Sequence, residues 1–481
     1  MNIIKRLFIS FLVMIPFIVA CTAASIFPSL AAAENAAPSR EKIVINELLA
    51  YDAEIIKKDP AAFVEKLNKI GISAFSFYRG TAALFYRDMF DKSMDPVPEC
   101  SEFSTDNLEK CYINGDLHIA NFGFLKNNED DIQFDANDFD ESYISSYSLD
   151  LKRLLVSIIL MADDTESKSG EKLANIFLES FIKKIKDFND GDNAFKYCIT
   201  AKNSKGYIHE TIQSLNDKSR KEFLEKFTKM KKNNKFLEND ELKPVSQEVS
   251  DKISSIFITQ YIPQVIKRSQ KKYEKGFFDV LDICEKLHSG TGSLGLKRYY
   301  ILIGGNTPND CEKNYIIEMK QERDSVVSAY ASNQSLSQAF KTNARRALLG
   351  TCSMASYISA FVGIIEDGAD SYLLREISPQ KYSPSFEEMN QSDLEDLCET
   401  AGKIYAKMLV KCANPKLPPH TVQFLSKLEA GGGKDRFKEC FINFALNYAS
   451  IVKKDFEIYS KNKAALIEQF EARAAKSNFV K

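Results

Sequence analysis

Asp116 and Asn121 stand five positions apart in Asn114-Gly-Asp-Leu-His-Ile-Ala-Asn121, and Asp138 follows in Asn137-Asp-Phe-Asp-Glu141. Phosphoryl transfer from a magnesium nucleotide asks for this set. A carboxylate orients or deprotonates the acceptor hydroxyl, while one amide and a second carboxylate offer hard oxygen ligands to the metal. Asp and Asn also favour turns, so an acidic hairpin would carry the same residue types with no chemistry attached. Order and spacing favour the chemical reading. Asp116 lies on a loop after the strand-like Lys110-Cys-Tyr-Ile113. Asn121-Phe-Gly-Phe-Leu125 and Asp131-Ile-Gln-Phe-Asp135 form the arms of a hairpin turning at Asn127-Asn128, and Asp138 lies just beyond it.

A second constellation is Gly290-Thr-Gly-Ser-Leu-Gly295. The strand-like Tyr299–Ile303 after it makes it a loop between two antiparallel strands, whereas a dinucleotide fingerprint would open a helix. Leu296-Lys297-Arg298 excludes a Walker loop, and Thr291 in place of a glycine excludes a nucleophile elbow at Ser293. Side-chain-free Gly290, Gly292 and Gly295, with Ser293, would let backbone amides approach phosphates. Lys320, ending the strand-like Tyr315-Ile-Ile-Glu-Met-Lys320, would neutralise them. Glu322 is two residues on and faces the same side, as a partner for Lys320 or as a solvated neighbour.

The Gly-Asp-x-x-x-x-Asn loop followed by an Asp-Phe pair resembles the catalytic loop and metal carboxylate of the protein-kinase-like superfamily, especially its aminoglycoside phosphotransferase branch. Asp150-Leu-Lys-Arg-Leu154 resembles the helix that follows there. In ordinary kinases the glycine loop and lysine come first; here they follow Asp116, so the chain looks circularly permuted. That order, with Phe75-Ser-Phe-Tyr-Arg-Gly80 upstream, resembles the uncharacterised bacterial family called domain of unknown function 2252, from about residue 45 to 460. The resemblance implies an α+β, bilobal, protein-kinase-like fold, circularly permuted, with a large helical lobe and a small antiparallel-sheet lobe. ATP and Mg would bind between the lobes, with Asp116 catalytic, Asn121 and Asp138 on the metal, and Gly290, Gly292, Ser293, Gly295, Lys320 and Glu322 around the nucleotide. Tyr372–Ile377 would be the edge strand leading to the lobe hinge. From Ser325 to Phe361 there is no Glu or Asp to serve as a helix partner for the lysine. Four further candidates remain: Arg79 for a phosphate or a carboxylate, His118 for substrate or for a loop-stabilising hydrogen bond, Asp140 (with Glu141) to widen the metal site, and Asp150 to bond the loop backbone.

The elements that must position these residues read as follows. Residues 1–20 form an export signal: Lys5 and Arg6 precede the apolar run Leu7–Ala20, which is short for a membrane span and ends in the lipobox-like Ile18-Val19-Ala20-Cys21. A competing cleavage site is Ala31-Ala32-Ala33. Residues 21–42 are a flexible tether, 43–285 a helical lobe with the catalytic hairpin, 286–385 the glycine-loop sheet lobe, and 386–481 a helical return to the large lobe. Helices dominate from Ser148 to about Lys275, then over Ser335–Ser359, Gln391–Cys412 and from Lys434 onward. With 64 basic against 66 acidic residues the formal charge is −2, so no global field recruits nucleic acid or an anionic membrane. Ten cysteines without a C-x-x-C pair indicate neither a disulfide framework nor a zinc cage, and four dispersed histidines exclude a zincin. The expectation is an exported or lipid-anchored, ATP- and magnesium-dependent phosphotransferase acting on an unknown small molecule or protein. The alternatives are a non-catalytic, pseudokinase-like envelope lipoprotein that binds a nucleotide or another ligand, and a nucleotidyl (AMP) transferase using the same residues.

Overall fold

The computed structural model describes residues 38–91, 100–105, 108–127, 131–165, 169–229, 234–288, 290, 292, 294–306, 310–331, 340–412 and 420–478. The expected export segment, Cys21, the Ala31–Ala33 site, Asn128, Thr291 and Ser293 lie outside them. The chain divides into residues 1–39 and Arg40–Lys481; the second unit contains every core cluster and is the one described here.

Helix makes up 59% of the structure and every sheet is antiparallel, which makes the fold α+β. The strands are β1 (Cys111–Ile113), β2 (Phe122–Lys126), β3 (Ile132–Ala136), β4 (Tyr143–Ser145), β5 (Ile199–Thr200), β6 (Leu242–Pro244), β7 (Val280–Lys286), β8 (Arg298–Ile303), β9 (Tyr315–Gln321), β10 (Gly363–Asp367) and β11 (Asp370–Ile377). They form a six-stranded sheet in the order β10-β11-β9-β8-β7-β6, a three-stranded β2-β3-β5 sheet and a β1-β4 pair.

Period-2 alternation gives the large sheet two different faces. Ile301, Ile303, Ile317, Met319, Tyr372 and Leu374 point one way and pack against Phe257, Tyr261 and Val265. Tyr300, Leu302 and Ile316 point the other way, onto Leu224, Phe236 and Leu242. The strand parity that buries Tyr300 and Ile316 also carries Arg298, Glu318, Lys320 and, across the register, Arg375 along the same face. The polar end of one sheet face is thus set by its apolar end.

Several expectations are corrected. The tether ends earlier than residue 42, because a helix begins at Arg40, which donates to Asp88 and Asp455. The stretch taken as helical to Lys275 also contributes β5 and β6, and β7 begins at Val280, ahead of the expected sheet boundary at residue 286. Tyr372–Ile377 is not an edge strand: it pairs with β9 along its length and with β10 as far as Leu374, and the edges of the sheet are β10 and β6. The helix expected over Ser335–Ser359 is Asn343–Met354 within the described residues.

The largest core cluster lies among the helices Pro60–Ile70, Tyr147–Asp164, Gly170–Asn189, Gln391–Cys412 and Gly433–Asn478. It encloses a buried ion pair: Lys407 Nζ lies 2.6 Å from Asp135 Oδ1, and Ser356 N donates to the other oxygen of Asp135. Such a pair survives in a low-dielectric interior because hydrogen bonds satisfy both ions.

Among the described residues one disulfide forms, Cys100–Cys440, a pairing the spacing of the cysteines did not indicate. It ties a short 3₁₀ turn to the long C-terminal helix across 340 positions. Cys440→Ser is expected to lower the unfolding free energy by about 2–4 kcal/mol. Denaturant titration with and without reductant checks this: reductant should weaken the unaltered chain and leave the variant unchanged.

Candidate active site

The loop Asn114–Asn121 is held by one face of the helix Tyr147–Asp164. Asp150, Arg153 and Ser157 recur at three and four positions, so they line one side of that helix. Asp150 accepts from the amides of Asn114 (2.6 Å) and Gly115 (3.0 Å), and Ser157 Oγ accepts from Ile119 N (2.9 Å). Between them Arg153 Nε donates to Asp116 Oδ1 at 2.7 Å, with Nη2 at 2.5 Å from the same oxygen. Gly115 is needed at its position: φ is +82° and a Cβ would lie 2.0 Å from the Glu141 carbonyl oxygen.

Side chains then fix the rest of the loop. Asn121 Nδ2 donates to the Asp116 carbonyl (2.8 Å), Asn114 Nδ2 to the Asp138 carbonyl, and Asn137 N to the Asn121 carbonyl. These bonds bring the loop and the residues after the β2-β3 hairpin into one cavity of about 390 Å³. Asp116, Asn121, Asp138, Gly290, Gly292, Lys320 and Glu322 line it, with Arg79, His118 and Asp140. Gly290 and Gly292 sit in the loop between β7 and β8, and a Cβ on either would meet nothing within 4 Å. Among the described residues the space beside both glycines is open, so their backbone is accessible from the cavity.

Three candidates are placed differently from expectation. Gly295 lies away from the cavity and packs on Ile55, where a Cβ would come within 2.8 Å. Lys320 is paired with Asp140, so that carboxylate is already engaged by a cation in the cavity it shares with Asp138. Glu322 is not the ion-pair partner of Lys320. It is 6% exposed, its Oε1 has no hydrogen-bond partner, and burial pushes its carboxyl up to about 7 with Asp138 and Glu141 adding to the effect.

Asp150 bonds the loop backbone as expected. Burial raises its carboxyl to about 7, against the opposing pull of the two amides. Burial also raises Asp116 to about 6, although Arg153 opposes it and 23% of the side chain is open to solvent. His118 does not act as a loop tie through Nδ1, which is buried without a partner; burial holds the imidazole neutral by pushing its pKa well down. Arg79 is exposed, its guanidinium 5.4 Å from the Phe75 ring, with no carboxylate in ion-pair distance among the described residues.

Arg153, Arg298, Glu318, Arg323 and Arg375 were not anticipated. Glu318 is buried and receives Arg298 (2.9 Å) and Arg375 (2.8 Å) on its two oxygens, making a fixed cationic floor beside Lys320. Their shared strand parity with Lys320 was the available signal. Arg153 gave none, since a basic residue on a helix reads as solvated.

Among the described residues no group of three or more His, Cys, Asp or Glu side chains is placed to hold a metal. Asn121 and Asp138 together present only an amide and a carboxylate. That suits a magnesium ion completed by water and substrate phosphates, since Mg²⁺ is commonly held by one or two protein ligands. Asn121 fits this use because its amide nitrogen is already engaged, leaving the oxygen free to face a cation.

Glu322→Gln isolates one buried carboxyl. An acid whose folded pKa is raised costs stability above that pKa and nothing below its unfolded value near 4.5. The variant is therefore expected to be more stable than the unaltered chain by about 2–4 kcal/mol at pH 8, with the difference vanishing near pH 4. Urea unfolding across that range measures it.

A family model described as an uncharacterised protein conserved in bacteria (DUF2252) matches residues 58–462. No curated protein and no solved structure matches the chain.

Proposed function

Because the chain belongs to the DUF2252 family of uncharacterised bacterial proteins, we propose from its own residues that it is an ATP- and magnesium-dependent phosphotransferase on a circularly permuted, bilobal, kinase-like fold. The observation that carries this reading is the meeting of Asp116, Asn121, Asp138, Gly290, Gly292 and Lys320 in one cavity, although Asp116 and Lys320 stand 204 positions apart. A smaller, mostly apolar pocket of about 110 Å³ adjoins it, sharing Asp140 and Arg375 and lined by Leu125, Ala136, Phe139, Val362 and Leu373. In this reading that pocket would take the purine base, with the phosphates running past Lys320 toward the loop.

Magnesium, when bound, would neutralise phosphate charge through Asn121 and Asp138. Arg298, Arg375 and Lys320 supply a preorganised positive wall for charge developing on the transferred group. Both Arg153 contacts fall on Asp116 Oδ1, so Oδ2 is the oxygen left to take the proton of an acceptor hydroxyl. With its carboxyl near 6, Asp116 is ionised at neutral pH yet basic enough to share that proton.

Export, by signal peptide with or without lipidation at Cys21, is part of the same proposal. The Cys100–Cys440 disulfide supports it, since such bonds persist in oxidising compartments. No described helix is long and apolar enough to cross a membrane.

The test is the melting temperature of the Arg40–Lys481 unit with ATP and magnesium, together and separately. A ligand at about 100-fold its Kd should stabilise by roughly 2.7 kcal/mol. The rise should need metal and be lost in Asp138→Asn. Asp116→Asn should keep the rise and lose about 10²- to 10⁴-fold in transfer. Phosphate-labelled and adenine-labelled ATP separate phosphoryl from nucleotidyl transfer, and no rise at millimolar ATP sinks the nucleotide reading.

A further inference from the structure

The cations around the cavity are not equivalent. Lys320 is committed to Asp140, Arg298 and Arg375 share Glu318, and Arg323 lies over the Tyr51 ring at 4.5 Å with Glu141 at 4.0 Å. Arg79 has no such partner among the described residues. Its guanidinium is held over the Phe75 ring, which orients the planar fork while leaving its donors open. Beside it in the lining is His118, 5% exposed, with Nδ1 buried and unpartnered.

Position matters as much as charge. The apolar pocket that would take the base contains no residue of the helices Pro60–Ile70 and Ala74–Gly80, and joins the cavity through Asp140 and Arg375. Arg79 and Ser76 enter the cavity from the second of those helices, with Asp116 in the lining as well. A nucleotide lying from the apolar pocket toward the loop leaves the Arg79 side for the second substrate.

We propose, resting on the nucleotide reading above, that Arg79 and His118 form an oxyanion subsite for the acceptor, which is a small alcohol bearing a phosphate or carboxylate group. The oxyanion docks on the Arg79 fork and the hydroxyl comes to Asp116. In the transfer the bond between the γ-phosphorus and its bridging oxygen breaks, releasing ADP. A bond from that phosphorus to the acceptor oxygen forms, and the hydroxyl proton passes to Asp116 and then to solvent. A cavity of about 390 Å³ holding a triphosphate as well favours a compact acceptor.

The test uses inorganic phosphate and acetate as probes on the Arg40–Lys481 unit saturated with magnesium and a non-hydrolysable ATP analogue. A probe should add a further rise in melting temperature, and its affinity should fall by about tenfold or more in Arg79→Gln. The nucleotide-induced rise should be unchanged in that variant. Response to phosphate alone assigns a phosphate ester, and response to acetate alone a carboxylic acid. Probes added without nucleotide keep the two proposals apart. If the analogue itself fails to bind, the nucleotide reading falls, yet an affinity lost in Arg79→Gln and kept in Lys320→Gln still upholds the subsite. Equal affinity in Arg79→Gln and the unaltered chain, or displacement of the probes by the analogue, overturns it.

Discussion

A guanidinium with no solvent exposure must be neutralised where it stands, and in this protein that obligation organises the site. Arg153 is enclosed by the rings of Tyr78 and Phe85, at 4.4 and 5.4 Å. One donor group goes to the Tyr78 carbonyl, and the charge is answered by Asp116. Removing the Asp116 carboxylate would leave this guanidinium buried and unpaired, a loss on the order of 3–5 kcal/mol. The stability of the core and the position of the Asp116 carboxylate are therefore one requirement. Asp150 and Ser157, a turn to either side, extend the same face, so a single helix dictates the path of the loop from Asn114 to Ile119.

The opposite wall is built on another logic. On the six-stranded sheet, one buried acid, Glu318, holds two arginines apart and aims them, while Lys320 faces the acidic segment across the cavity. Flexible cations would have to be ordered each time an anion arrives; cations already locked to Glu318 lose little entropy on binding. Asp140 has a different role, since any anion claiming Lys320 has to compete with it.

Much of this was legible in the chain. The β2-β3 hairpin, β8, β9 and β11 showed themselves through alternation, and the helix Gln391–Cys412 through its 3.6 period. β6 and β7 did not: one is three residues ending in Pro244, and the other carries a register shift between Val280 and Asp282 that breaks the pattern. Within the site, Asp116, Asn121 and Asp138 were identifiable because their spacing is local. The partner of Lys320, the packing of Gly295 on Ile55 and the burial of Arg153 depend on segments far away in sequence, and composition says nothing about them. The Lys407–Asp135 pair is of the same kind, with 272 positions between its members. A buried lysine is invisible until its carboxylate is known.

The bridge between Cys100 and Cys440 closes a covalent ring that contains both walls of the cavity, from the loop before Asp116 to the helices after β11. A single cut by a protease anywhere inside that ring opens it without releasing a fragment. The two walls stay tethered at the concentration set by their own linkage, and the cleft can re-form after damage that would separate the halves of an unbridged chain. Such tolerance of nicking is a form of durability distinct from the free energy of folding.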